Sequence, residues 1–139
     1  MKFDFCSKEN MIRNSIIVFV CEHGAAKSII ATAYFNKFAG EKGLNLQAVA
    51  RGTNPDQALS PQAVTGLHED GLTPSESAPR KLSLSDVESA QQIIAFCELP
   101  VEYQEKAVIE LWDDVPPVSE DYQQAREAIV ERIGHLLNK

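Results

Sequence analysis

Hydrophobic and polar positions alternate between two periods along most of this chain. Residues 15–20 (Ser-Ile-Ile-Val-Phe-Val) are continuously apolar and rich in β-branched side chains, which predicts a strand covered on both faces. Residues 28–39 place apolar side chains at Ile30, Tyr34 and Phe38 and again at Ile29, Ala33 and Phe35, a helical stripe. Gly40 and Gly43 supply stop signals for that helix. A second strand is expected over 46–50. Ser60 and Pro61 then set a capping serine ahead of a proline at the first helical position, and Gly71 closes the helix they open. Residues 73–79 read as a surface loop, and Ser85-Asp86 as the start of a short helix. Residues 92–96 and 107–111 predict the third and fourth strands. Ser119 is expected to cap a final helix striped by Tyr122, Ala125, Ile129, Ile133 and Leu136.

Strands and helices alternating at this spacing imply βαβ crossovers. The expected fold is therefore α/β: a three-layer α/β/α sandwich around a four-stranded parallel sheet. Residues 1–14 lack periodicity and predict a loose N-terminal extension, leaving 15–139 as a single domain.

Composition narrows the chemistry. The 139 residues are 44% hydrophobic and 24% charged, as in ordinary globular proteins. A formal charge of -7 argues against non-specific nucleic-acid binding, which depends on Lys and Arg neutralising phosphates. The apolar run at 16–20 is far too short to span a membrane. Three cysteines without Cys-x-x-Cys spacing fit neither a disulfide scaffold nor structural zinc, and a reducing, cytoplasmic setting is expected. His68 and His135 have no metal-ligand spacing to another His or Cys, so neither a metal nor another cofactor is expected.

The end of the first predicted strand reads Cys21-Glu22-His23-Gly24-Ala25-Ala26-Lys27-Ser28 and leads straight into a helix. In open parallel sheets, ligands bind beyond the carboxyl ends of the strands. A small-residue loop entering a helix N-terminus presents several backbone N–H groups, with the helix dipole behind them, to one anion. Cys21 stands at the mouth of this loop, where those N–H groups and Lys27 favour the nucleophilic thiolate. Ser28 is placed to donate a hydrogen bond to the sulfur. Free cysteine at a strand end is often only a small buried hydrophobe. Here the strand, the loop, the lysine and the serine agree on a functional role.

This Cys-x5-Lys-Ser loop resembles the phosphate-binding loop of the low-molecular-weight protein tyrosine phosphatases and of the arsenate reductases that share their fold. The likeness continues through Arg51-Gly52-Thr53, Ser60-Pro61-Gln62-Ala63-Val64, Glu69-Asp70-Gly71, Pro79-Arg80-Lys81-Leu82-Ser83 and the strand over 92–97, covering 15–138. The resemblance implies that Cys21 attacks a tetrahedral oxyanion held by the amides of Glu22, His23, Gly24, Ala25, Ala26, Lys27 and Ser28. Three positions depart from the family pattern: Lys27 stands for arginine, Gly24 for asparagine and Ala26 for a second cysteine. Lysine is a point charge and cannot reproduce a bidentate grip, so slower turnover with binding retained is expected. Arg51 and Arg80 are candidates to compensate.

The resemblance also places a general-acid aspartate in the loop after the fourth strand, which here reads Trp112-Asp113-Asp114-Val115-Pro116-Pro117. Neither aspartate directly precedes a proline; Asp114 is the first candidate and Asp113 the second. Shielding by Trp112 and the prolines would raise the pKa of such a carboxyl, as a proton donor requires. Cys97 ends the third strand, at a position matching the first resolving cysteine of thioredoxin-coupled arsenate reductases. No second cysteine follows it. The expected function is hydrolysis of a phosphomonoester, with phosphotyrosine included, through a phosphocysteine. Two alternatives stay open: an arsenate reductase using Cys21 with Cys97 or an external thiol, and a non-catalytic oxyanion-binding module. The expected partners are phosphate, a phosphomonoester or arsenate, with a phosphoprotein or a small thiol beside them.

Overall fold

The computed structural model describes residues 15–138, so the extension expected over 1–14 lies outside the described residues. Strand β1 (Ile16–Cys21) leads to helix α1 (Lys27–Glu41), β2 (Gln47–Gly52) and α2 (Pro61–Glu69). The short helix α3 (Leu84–Ser89) runs directly into β3 (Ala90–Ala95). A single turn, α4 (Val101–Gln104), precedes β4 (Ile109–Leu111), and α5 (Tyr122–Leu137) closes the fold. The four strands form one parallel sheet in the order β2-β1-β3-β4. Among the described residues no helix is long and apolar enough to cross a membrane.

The unbroken apolar run of β1 follows from its central place. Its alternate side chains feed two cores. Ile17, Phe19 and Cys21 face α1, α2 and α5, while Val18 and Val20 meet Leu82, Val87, Ile93 and Leu99 on the opposite face. Phe19 is fully buried and touches Phe35, Phe96 and Trp112, with ring centroids 5.9, 6.3 and 5.9 Å away. Burial of such side chains contributes about 1.5–3 kcal/mol each.

A polar clamp joins the helices on the α1 side. The Asp70 carboxylate, just past α2, accepts hydrogen bonds from Tyr34 of α1 (2.6 Å), and from Tyr122 (2.8 Å) and Arg126 (3.0 Å) of α5. Burial alone would raise this carboxyl, but the three donors outweigh it and hold it below the ordinary carboxylate range. A β-carbon on Gly66 would overlap the Tyr122 ring, so the glycine in α2 makes room for the clamp.

Several boundaries differ from expectation, for local reasons. Helix α1 runs through Gly40; the stop is Gly43 at φ +68°, where Leu44 N–H closes onto Ala39 O at 2.9 Å. Gly71, at φ +82°, ends α2 in the same way. Strand β2 begins at Gln47 and extends to Gly52, β3 starts two residues early at Ala90, and β4 keeps only three residues at the sheet edge. Helix α3 is capped by Ser83, whose side chain and that of Asp86 satisfy each other's amides. Helix α5 is capped by Asp121, which accepts from Gln124 N–H at 3.1 Å, rather than by Ser119. A turn closed on Pro117 O occupies 117–121 and delays the helix. The carboxylate of Asp121 also suits the positive end of the dipole.

Candidate active site

Cys21 is the last residue of β1 and pairs with Gly52 across the ladder to β2. Its side chain is buried, and Sγ lies 3.1 Å from Oγ of the fully buried Ser28, in the first turn of α1. The loop between them is shaped by its carbonyls. Thr53, Asn54, Asp56 and Ser60 donate their backbone N–H groups to the carbonyls of Cys21 (3.3 Å), Glu22 (2.7 Å), His23 (3.0 Å) and Ala25 (2.9 Å). With its carbonyls turned outward to the 53–60 segment, the loop has amides from Glu22 to Ser28 that, among the described residues, meet no backbone carbonyl. Ala26 at the helix N-cap offers no side-chain acceptor either. Unengaged amides at a helix N-terminus make a cradle for an anion.

Gly24 has a local cause. It sits at φ +61°, and a β-carbon there would meet Gly52 N at 2.9 Å. Gly52 is equally constrained, since its own β-carbon would meet Gly24 N at 2.7 Å. The loop and the end of β2 thus touch backbone to backbone, which only glycine at both positions permits.

A cavity of about 360 Å³ opens over Cys21. Glu22, His23, Ala25, Ala26 and Lys27 line it from the loop, Asp56 and Ser60 from the facing segment, and Phe96, Cys97 and Pro117, Val118 and Ser119 from the far side. Lys27 is half-buried and, among the described residues, makes no ion pair, which leaves its charge available to a bound anion. Cys97, half-buried, shares the cavity; burial first, then the neighbouring Cys21 and Glu22, push its thiol up and keep it protonated near neutrality.

Other candidates lie elsewhere. Arg51 bonds Asp86 (3.0 Å) and Glu76 (3.2 Å), and Arg80 reaches Glu76 (3.4 Å); neither lines the cavity, so neither takes the place of the expected arginine. Asp113 and Asp114 are exposed and do not line it. Asp114 instead pairs with Arg132 of α5 at 2.6 and 2.7 Å, and that hydrogen bond holds its carboxyl below the ordinary range, the reverse of the raised value expected of a proton donor. Trp112 shields neither aspartate: it is buried in the core and donates its indole N–H to Glu110 at 2.6 Å. Sequence reasoning missed Asp56, which the structure ties to His23 with Oδ1 3.2 Å from Nδ1. Among the described residues no group of three or more His, Cys, Asp or Glu could hold a metal ion.

Comparison with known proteins agrees with this fold. The low molecular weight protein tyrosine phosphatase from T. tengcongensis superposes with a TM-score of 0.77 at 22% identity, covering 90% of this chain and 99% of that one. An arsenate reductase from Archaeoglobus fulgidus gives 0.71 at 24% identity, covering 88% and 99%. The YwlE arginine phosphatase with a phosphorylated active-site serine gives 0.71 at 21% identity, covering 87% and 92%. These likenesses establish the fold. No curated protein matched the sequence. Residues 16–122, which hold the whole sheet, the cradle and every wall of the cavity, match the model of the low molecular weight phosphotyrosine protein phosphatases, and it is to this family that the chain belongs.

Proposed function

We propose that this protein is a cysteine-dependent phosphatase that hydrolyses a phosphomonoester through a phosphocysteine on Cys21. The observation that carries the reading is the placement of Sγ 3.1 Å from the Ser28 hydroxyl, beneath amides with no backbone acceptor. In that position the thiolate attacks phosphorus, while the amides and Lys27 hold the charge that builds on the oxygens. The P–O bond to the leaving group breaks, and water then cleaves the P–S bond to release inorganic phosphate. Lys27 compensates charge without the two-pronged geometry of arginine.

The test is hydrolysis of p-nitrophenyl phosphate from pH 5 to 8, with Cys21→Ser as the control and Lys27→Arg alongside. Clear wild-type turnover with a dead serine variant supports the reading. Equal silence in both overturns it. A rate gain in Lys27→Arg supports the view that lysine limits this chemistry.

A second reading is favoured by one observation, the shared cavity of Cys21 and Cys97. In it, Cys21 bonds to arsenate arsenic with loss of water. The Cys97 or an external thiol, such as glutathione, attacks the Cys21 sulfur, forms a disulfide and releases arsenite, two electrons passing from the thiols to arsenic. Arsenate-dependent consumption of thiol separates this reading from hydrolysis, which consumes none. A binding module would do neither, yet phosphate or arsenate would still raise its melting temperature.

A further inference from the structure

Asp114 pairs with Arg132 and neither it nor Asp113 lines the Cys21 cavity, which turns attention to the cavity's own walls for a proton donor to the leaving group. Among the described residues, the Cys, His, Lys and acidic side chains lining the Cys21 cavity are Cys21, Glu22, His23, Lys27, Asp56 and Cys97. Cys21 is the nucleophile, Lys27 the counter-charge, and Cys97 a thiol that burial makes a poorer acid. Glu22, His23 and Asp56 remain, and of these His23 and Asp56 meet at two points. The Asp56 backbone N–H donates to His23 O at 3.0 Å, and Asp56 Oδ1 lies 3.2 Å from His23 Nδ1. The contact that turns the loop carbonyl outward therefore also brings a carboxylate to the ring. Nε2 is left uncommitted, because its nearest carboxylate, Glu22 Oε1, is 4.0 Å away and beyond hydrogen-bonding distance. An imidazole with a carboxylate 3.2 Å from Nδ1 and with Nε2 free is a group able to give and take protons.

We infer that His23, oriented by Asp56, is the proton donor to the leaving group and the base toward the attacking water at the Cys21 site. The inference rests on the phosphatase reading. In the first step the Cys21 thiolate forms the S–P bond, the P–O bond breaks, and the leaving oxygen takes the proton from Nε2 of the imidazolium. In the second step the neutral Nε2 takes a proton from water as the water oxygen bonds to phosphorus. The S–P electron pair returns to Cys21. His23 acts on the reacting atoms, and Asp56 is a positioning residue that acts through it.

The experiment compares two substrates. p-Nitrophenolate leaves with little help, whereas phenolate from phenyl phosphate needs a proton. His23→Gln is expected to lose about 10²-fold on phenyl phosphate, the low end of general-acid effects, and at least ten times less on p-nitrophenyl phosphate. Asp56→Asn is expected to show the same bias more weakly. Lys27, Glu22, Cys21 and Cys97 face the same cavity and are retained in that comparison. Glu22→Gln and Asp114→Asn are expected to show no leaving-group bias. Equal losses on both substrates in His23→Gln, or a bias appearing in either of those two variants instead, overturns the inference while the phosphatase reading stands. A wild type silent on both substrates overturns the phosphatase reading, and the inference with it.

Discussion

Replacing Gly52 with alanine isolates the contact that sets the cradle. Gly52 ends β2 with no left-handed backbone, so alanine there would ordinarily stabilise the strand by about 0.5–1 kcal/mol. The structure predicts the opposite sign. The new β-carbon would stand 2.7 Å from Gly24 N, 2.9 Å from Gly24 Cα and 2.9 Å from His23 C. All three are backbone atoms that cannot rotate aside. The nearest lies some 0.7 Å inside the 3.4 Å at which ordinary contact begins, so the loop bearing the amides must retreat by about that much. Overpacking of this kind costs about 1–3 kcal/mol, leaving a net loss of roughly 0–2.5 kcal/mol after the backbone gain. The effect on turnover is larger, since a displacement near 1 Å can cost about 10²-fold. Urea unfolding at pH 7 and kcat/KM on p-nitrophenyl phosphate measure the two effects. Gly134→Ala in α5, where an added β-carbon meets nothing within 4 Å, is the control and is expected to gain about 0.5–1 kcal/mol with unchanged turnover. A Gly52→Ala protein as stable and as active as wild type would refute the reasoning.

Asp70→Asn is expected to lose about 2–3 kcal/mol at neutral pH, because two tyrosine hydroxyls and a guanidinium lose their charged acceptor. The Asp70 carboxyl is held below its unfolded value, so its contribution is full above about pH 4 and fades as pH falls through the lower folded pKa; urea titrations at pH 7 and pH 2.5 should show the deficit shrinking. At the alkaline end, burial and then the hydrogen bond to Asp70 push the Tyr34 hydroxyl up to about 12, and Tyr122 is raised with it. Stability from Tyr34 is therefore complete below about pH 10 and lost as pH rises toward 12, which tyrosinate absorbance against unfolding will follow. Asp114→Asn is expected to leave kcat/KM on p-nitrophenyl phosphate at the wild-type value and stability nearly unchanged, because its ion pair is exposed; a general acid would lose about 10²-fold or more on phenyl phosphate.

What the sequence showed and what it hid divide along the range of the forces involved. The apolar run of β1, the stops at Gly43 and Gly71 and the serine-proline start of α2 are set by residues within a few positions of one another, and each marks an element the structure contains. The loop after β1 was legible for the same reason: strand, small residues, lysine and serine are contiguous. The direction of the 113–114 turn was not, because it is decided by Arg132, a full helix later in the chain. The placement of Asp56 against His23 was equally hidden, since it depends on β2 lying beside β1 and on two glycines meeting across them. Helix α4 spans one turn, too short for a 3.6-residue period to register. The choice between Ser119 and Asp121 as a cap was a difference of two residues between two capable side chains, settled by a turn closed on Pro117 O.

Acid-quenched mass spectrometry during steady-state turnover of p-nitrophenyl phosphate tests the central claim most directly. The account predicts one phosphoryl group on the peptide containing Cys21, lost on standing at neutral pH and missing from Cys21→Ser. Hydrolysis with no phosphorylated peptide, or with the phosphoryl group on another residue such as His23, would contradict it.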